Sequence, residues 1–187
     1  MVLSKFNSSP VILQIAVILL FFSFGSMQGQ ENEPVEGSNE VVASIFEDVW
    51  LPFMESYRAL DVEKFKSIHA KDLTRVSISR NQIQSYADYF TQMEGVFKQV
   101  KESGRQMDIQ FSIITSATGS HKAYQTGYYC FRSRASASEE FQARGYGFFN
   151  VLLTKENGTW KISLDSDKRA DITEEEFNKS GTIYSLD

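Results

Sequence analysis

The sequence has few of the side chains that build covalent cross-links and metal sites. Its one cysteine, Cys130, excludes an internal disulfide, a multi-cysteine zinc site and an iron–sulfur cluster. Its two histidines argue against a histidine-rich metal site. The sequence also lacks a P-loop, a dinucleotide-binding fingerprint, a nucleophile elbow and a His-Glu-x-x-His motif. We therefore expect no metal and no cofactor.

The sequence also has no excess of basic residues. The 187 residues include 24 acidic and 19 basic side chains, a formal net charge of −5, whereas a protein that tracks nucleic-acid phosphates needs a basic face. With 42% hydrophobic and 23% charged residues, the composition is that of a globular protein rather than a disordered one. We expect one domain of ordinary size and no nucleic-acid partner.

Residues 1–29 are typical of a secretory signal peptide. One charge, Lys5, precedes an apolar run at 11–24, and small or polar residues at 25–29 offer a cleavage zone. The run spans about 14 residues, fewer than the ~20 that a membrane-spanning helix needs; an uncleaved N-terminal anchor is the alternative. We expect an exported protein, periplasmic or secreted, that meets the membrane only through this segment before cleavage near residues 25–29. Residues 30–40 are acidic, lack apolar periodicity and predict a solvated tether.

Two helices are predicted at the start of the main domain, residues 41–171. Apolar residues from Val42 to Leu60 recur every three or four positions, as on one face of a helix, with a kink or break expected at Pro52. Asp61 is a good N-cap for a second, short helix from Val62 to about His69.

A strand and a long helix follow. The segment Leu73–Ser79 alternates like a strand. Ser85, with Asp88 three residues later, resembles a capping box for a third helix, and Gly104 is its natural end.

The second half of the domain alternates like a sheet. Four consecutive antiparallel strands are predicted at 107–113, 123–132, 141–154 and 160–164, the last two joined by a hairpin turn at Asn157-Gly158. Helices first and a meander last indicate an α+β domain, in which a curved antiparallel sheet wraps around the long third helix.

The last stretch, residues 172–187, begins with a helix signal. Thr173 and Glu176 form a capping box for a short helix. We expect the chain to fray after Gly181.

This order of elements resembles the nuclear transport factor 2-like (NTF2-like) superfamily, which includes SnoaL-like polyketide cyclases, ketosteroid isomerases and exported bacterial proteins. The resemblance covers roughly Glu40 to Asp171. It is carried by Tyr57-Arg58-Ala59-Leu60-Asp61, continuing through Phe65 to Ala70-Lys71-Asp72, and by the closing hairpin Asn157-Gly158-Thr159-Trp160-Lys161-Ile162. It implies a cone-shaped sheet with a pocket, and the fold hosts many functions, some of them not catalytic.

The resemblance to ketosteroid isomerase does not extend to its chemistry. When the aspartate of its second helix is registered on Asp61, the position of its oxyanion-hole tyrosine falls on Phe53 and that of its general base on Ser77. Phenylalanine cannot donate a hydrogen bond, and serine is a poor base at neutral pH.

One candidate catalytic group lies at the exit of the second helix, where the superfamily has one rim of its cone. His69 and Asp72 could form an oriented base, since a carboxylate fixes the tautomer of a histidine and raises its basicity. Arg75 follows as a candidate ligand contact. The alternative is a polar helix end, with His69 in the last turn favoured by the helix dipole.

A second candidate is the pair Asp165 and Asp167 at the end of the last strand. Their spacing of two places both carboxylates on one face. Inside an apolar pocket they would repel, and one would gain a raised pKa suited to acid chemistry, with Asp165 the candidate. The alternation with Trp160 and Ile162, which should face the core, favours instead two solvent-exposed carboxylates that pair with Lys168 or Arg169.

A third candidate is the aromatic and cationic face of the central strands. Tyr128 and Arg132 share one face, as Tyr146 does on the next strand. With Phe53 and Tyr57 of the first helix they form the predicted ligand-binding set, suited to an aromatic or anionic molecule. The alternative is an outer sheet face through which two copies form a homodimer, since tyrosine and arginine are also enriched at interfaces.

Three functions remain open from the sequence. The first is an exported domain, expected to form a homodimer through the sheet, that binds a small apolar or aromatic molecule inside the cone. The second is an acid/base enzyme of isomerase, dehydratase or cyclase type that uses His69, Asp72, Asp165 and Tyr128. The third is a dimeric interaction module whose cone is filled with apolar side chains.

Overall fold

The computed structural model describes residues 36–186, with side chains from residue 39 onward. The signal peptide predicted at 1–29 and the first part of the predicted tether lie outside these residues. The helices are α1 (Glu36–Ile45), α2 (Leu51–Ala59), α3 (Val62–Ser67), α4 (Tyr86–Glu102) and α5 (Glu174–Lys179), and the strands are β1 (His69–Ser77), β2 (Gln82–Ser85), β3 (Gln106–Thr118), β4 (Lys122–Arg134), β5 (Gln142–Glu156), β6 (Thr159–Ala170) and β7 (Thr182–Tyr184). Within this part of the chain, no helix has the length and apolar character to cross a membrane. Residues 36–40, predicted as tether, already belong to α1.

The irregularity predicted at Pro52 takes the form of a π-helical turn, Phe46–Trp50, which ends two residues before the proline. Proline has no N–H to donate and its ring crowds the carbonyl one turn back. The wider turn resolves this, because the N–H of Leu51 donates to the carbonyl of Phe46, five residues earlier. The helical stripe therefore continues through the proline instead of ending there.

The helix starts follow the predicted caps. Asp61 accepts a hydrogen bond from the N–H of Lys64 at 3.0 Å, Ser85 caps α4, and Thr173 and Glu176 form the full capping box of α5. The helix α3 ends at Ser67, earlier than expected. His69 is consequently the first residue of β1 and not part of a helix end.

The seven strands form one curved sheet in the order β2-β1-β6-β5-β4-β3-β7. The pairs are antiparallel except for β1 and β6, which run parallel, so the predicted antiparallel sheet is in fact mixed. The expectation that the chain frays after Gly181 is wrong, since β7 pairs with β3. Only glycine fits at Gly181, where a Cβ atom would lie 2.2 Å from the carbonyl oxygen of Ile113.

The strand β6 contains a bulge that decides which of its side chains face the helices. In its pairing with β5, Leu164 lies opposite Leu152 and Ile162 lies opposite Leu153, so Ser163 is an extra residue between them. An inserted residue moves all later side chains to the opposite face. Ile162 before the bulge and Asp165 after it are therefore both buried on the same side.

The core lies between the concave face of the sheet and the helices α2, α3 and α4. Its largest fully buried side chains include Trp50, Trp160 and Phe65. Both indole N–H groups are satisfied: Trp50 donates to Gln125 at 2.7 Å and Trp160 donates to Ser44 at 3.0 Å.

Candidate functional site

A cavity of about 610 Å³ opens between the concave face of the sheet and the helices α2 and α4. Such a volume is in the range of small-molecule sites. The apolar part of its wall consists of Trp50, Phe53, Met93, Val96, Met107, Ile109, Phe111, Phe131, Phe149 and Val151. The polar part within the cavity consists of Tyr57, Arg75, Ser77, Tyr89, Tyr129, Asp165 and Asp167.

The polar groups centre on Arg75. Its Nη2 lies 2.8 Å from Oδ1 of Asp167, and its Nε lies 3.4 Å from Oδ2 of Asp165. The hydroxyl of Tyr129 donates to the other oxygen of Asp167 at 2.8 Å. The ring of Tyr89 lies beneath the guanidinium, with its centroid 5.3 Å from Cζ. One arginine thus holds two carboxylates on the wall of an apolar cavity.

The expectation that Asp165 and Asp167 face solvent and pair with Lys168 or Arg169 is wrong. Both line the cavity and both pair with Arg75. The physical reason is the bulge at Ser163, which moves the side chains after it in β6 to the opposite face of the sheet.

Burial sets the protonation of this cluster. It raises the pKa of Asp165; Arg75 lowers it and Asp167 raises it further, leaving a pKa above the ordinary value. Burial likewise raises the pKa values of Tyr57, Tyr89 and Tyr129, so their hydroxyls stay protonated and able to donate. The wall therefore offers hydroxyl donors beside one carboxyl that resists ionisation.

The predicted pair of His69 and Asp72 does not form. His69 is only 3% exposed and does not line the cavity, whereas Asp72 is exposed. The Nδ1–H of His69 donates to the carbonyl oxygen of Phe65 at 2.8 Å, and its Nε2 has no hydrogen-bond partner among the described residues. Burial lowers the pKa of His69 to about 3. It is therefore a neutral core residue and not an oriented base at neutral pH.

The predicted ligand-binding set separates into two groups. Phe53, Tyr57 and Arg75 come together in the cavity wall as expected. Tyr128 and Arg132 lie on the outer face of the sheet, because strand alternation gives the inner positions to Tyr129 and Phe131. On that face Tyr128 packs on the ring of Phe148, and Arg132 donates to Asp108. Tyr146 borders the cavity, but its ring packs on Phe177.

Tyr129 was missed by sequence reasoning, although one signal points to it. Its partner on β5 is Gly147, where a Cβ atom would lie 2.2 Å from Cζ of the tyrosine ring. The ring lies across the glycine, an arrangement that any other residue would exclude. A glycine opposite an aromatic residue on adjacent strands is thus a recognisable sign of an inward-lying ring.

No group of three or more potential metal ligands occurs in the part of the chain that the structure describes. The ionisable groups of the cavity wall instead include two carboxyls that pair with one guanidinium.

Comparison with known proteins identifies the fold. No protein-family model matches the sequence, and no curated protein matches it either. Among solved structures, Aln2 from a Streptomyces species is similar with a TM-score of 0.60 and 12% identity, over 71% of this chain and 92% of that one. An NTF2-like family protein from Streptomyces avermitilis, provisionally described as a dehydratase, has a TM-score of 0.58 and 10% identity, over 72% and 99%.

A third similar structure is a protein of unknown function with a cystatin-like fold from Nostoc punctiforme PCC 73102. Its TM-score is 0.53 at 18% identity, over 71% of this chain and 93% of that one. At these identities the likeness establishes the fold alone. The chain has the α+β cone fold of NTF2-like and cystatin-like proteins.

Proposed function

We propose that this chain binds a small, partly apolar organic molecule in the cavity of its cone. One observation carries the proposal: a buried cluster of Arg75, Asp165 and Asp167 faces an open volume inside an otherwise apolar wall. Removing ions from water costs several kcal/mol for each ion, and well-packed apolar residues would often be as stable or more so. A cluster that carries this cost in the wall of an open cavity favours recognition of a ligand.

The wall also indicates what such a ligand carries. Aromatic and aliphatic side chains cover most of it, which suits an apolar body. The hydroxyls of Tyr57 and Tyr89 stay protonated and can donate to a carbonyl or hydroxyl oxygen, whereas the hydroxyl of Tyr129 already donates to Asp167. A ligand with an apolar body and one inward polar group therefore fits best.

The first test is binding of the neutral dye N-phenyl-1-naphthylamine to the full chain, followed by its fluorescence. Gly145 borders the cavity, and a Cβ atom built on it meets nothing within 4 Å. Gly145→Phe should therefore place a ring in the entrance without disturbing the core. We expect it to weaken dye binding by roughly tenfold or more, the effect of losing ~1.4 kcal/mol of apolar contact.

The matched control is Gly95→Phe. Gly95 is an exposed residue of α4 where a Cβ atom also meets nothing within 4 Å, and it does not line the cavity. Dye binding should be unchanged in this variant. Absence of binding to the unmodified chain, or equal loss in both variants, would contradict the proposal.

A second candidate function is proton-transfer catalysis at Asp165. It is favoured by the raised pKa of this buried carboxyl and by the tyrosine hydroxyls near it, the combination from which acid/base sites are built. The provisional dehydratase description of the Streptomyces avermitilis protein is compatible with it. Carbon-13 NMR should find one aspartate carboxyl that titrates above its ordinary range and whose signal disappears in Asp165→Asn. A normal titration of Asp165 would remove this candidate.

Export and self-association belong to the same proposal. We propose that the chain is processed near residues 25–29, and that two copies associate through the outer face of the sheet around Tyr128 and Phe148. These rings pack on each other with centroids 5.3 Å apart and border a shallow depression with Lys168. The native mass of protein recovered from outside the cell would give both the processed N-terminus and the number of chains.

A further inference from the structure

Three of the residues that line the cavity are exposed arginines, Arg80, Arg144 and Arg169, and we call this exposed part of the lining the entrance. They come from three separate places in the chain. Arg80 ends the single 3-10 turn that follows β1, Arg144 lies near the start of β5, and Arg169 follows Asp167 by two residues on the inner face of β6. The fold thus gathers them at one opening.

These guanidinium groups are exposed, and no ion pair joins any of them to a carboxylate within residues 36–186. Of the three side chains, only that of Arg144 makes a hydrogen bond to a described residue: its Nε donates to the hydroxyl of Ser133 at 2.8 Å. General composition does not explain the cluster, because the chain is acidic overall with a net charge of −5.

The charge inside the cavity is arranged differently. Arg75 is paired there with Asp165 and Asp167. Among the described residues that line the cavity, the arginines without a carboxylate partner are therefore the three exposed ones. Gln84 of β2 and Gln92 of α4 also line the cavity, and Gln84 donates to Gln92 at 2.9 Å, which adds neutral polar groups.

From this arrangement we infer that the ligand is an amphiphilic anion, with its apolar body in the cavity and its acidic head between the three arginines. The inference rests on the proposed function and specifies its ligand class. Guanidinium groups bind carboxylates and phosphates through paired N–H donors, so either head satisfies the chemistry at the entrance.

The test compares the binding of four molecules to the full chain by calorimetry: dodecanoate and dodecyl phosphate as anions, dodecanol as the neutral molecule of equal chain length, and inorganic phosphate as a head without a body. We expect at least one anionic amphiphile to bind roughly tenfold more tightly than dodecanol at low salt, since charge-assisted hydrogen bonds are about twice as strong as neutral ones. This advantage should shrink in high salt, because the arginines are exposed. Inorganic phosphate alone should bind far more weakly than dodecyl phosphate.

The triple substitution of Arg80, Arg144 and Arg169 by glutamine should remove the advantage and leave dodecanol binding unchanged. Arg144→Gln alone serves as the second variant and should remove part of it. Arg105→Gln is the matched control: Arg105 is exposed and does not line the cavity, and this variant should keep the full advantage.

The outcomes separate the two proposals. If dodecanol and the anions bind equally well, and the triple variant changes neither, the anionic ligand class is overturned while the binding cavity stands. If inorganic phosphate binds as well as dodecyl phosphate, the entrance is a plain anion site and the amphiphile is overturned. If none of the amphiphiles binds to the unmodified chain, both proposals fall.

Discussion

Two buried clusters of arginine and aspartate in this molecule have opposite compositions. In one, Arg75 is held by Asp165 and Asp167. In the other, Asp108, which is 0% exposed, is held by two arginines: Nη2 of Arg58 lies 2.9 Å from its Oδ1, and Nε of Arg132 donates to its Oδ2 at 2.8 Å.

The difference lies in what each cluster connects. Asp108 on β3 joins the end of α2 to β4, two parts that have no backbone ladder between them, and the ring of Phe141 covers the guanidinium groups of Arg58 and Arg132. Arg132 and Asp108 are direct partners on β4 and β3, as Arg75 and Asp165 are on β1 and β6, so the sheet already joins both of these pairs. The difference is Arg58, which ties a helix to the sheet through Asp108. The Asp108 cluster therefore adds a helix-to-sheet contact that the Arg75 cluster lacks, and the Arg75 cluster faces the cavity instead.

The largest expected effect, and the strongest test of this difference between the clusters, comes from removing one carboxylate from each. Asp108→Asn leaves two arginines without their buried counter-charge and should lower the free energy of unfolding by about 3 kcal/mol or more. Asp165→Asn should change it by less than about 1 kcal/mol, because Arg75 keeps Asp167 and the charge of Asp165 is itself disfavoured by burial. Urea denaturation of both variants at pH 7 gives the two values. Similar losses would mean that the clusters have the same role.

A pH effect of up to ~2 kcal/mol between pH 6.5 and 5 distinguishes the packed core from the cavity. His69 lies in the core among Phe65, Tyr89 and Phe90, and burial lowers its pKa to about 3, with minor contributions in the same direction from Arg75 and Lys161. The unfolded chain takes up this proton near pH 6.5. The free energy of unfolding should therefore fall as pH drops from 6.5 towards about 3, by up to ~1.4 kcal/mol per pH unit.

This slope can be assigned by substitution, reading between pH 6.5 and 5 to limit the contribution of carboxylates. His69→Asn should flatten it. His121→Asn, at an exposed position, should leave it as it is. A slope that survives the first substitution would show that the buried histidine does not cause it.

The parts of the fold that sequence reasoning predicted correctly depend on local information. Asp61, Ser85 and Thr173 cap helices because a side-chain oxygen reaches an N–H three residues later. Asn157 and Gly158 form a tight turn because both take positive φ angles. None of these features depends on what lies across the molecule.

The parts that were missed depend on partners distant in the chain. The short strands β2 and β7 exist because β1 and β3 offer open edges. His69 is buried because β1 begins at it, and Tyr129 rather than Tyr128 faces inward because of its register with Gly147. Such relations are set by pairing across the sheet, which a single sequence does not contain.

Because of the bulge at Ser163, the sequence of β6 contains two alternative sets of residues that could face the cavity. If all its residues joined a regular ladder in step with Ile162, the inner series would continue as Leu164, Ser166 and Lys168. The surplus residue selects the other series, which brings the acidic side chains after it inside. Deleting Ser163 would leave a regular ladder with Asp165 still facing inward, so the acidic interior requires only that Ser163 is not built into the ladder. The chemistry of the cavity therefore depends on the register of β6 as much as on the identity of its residues.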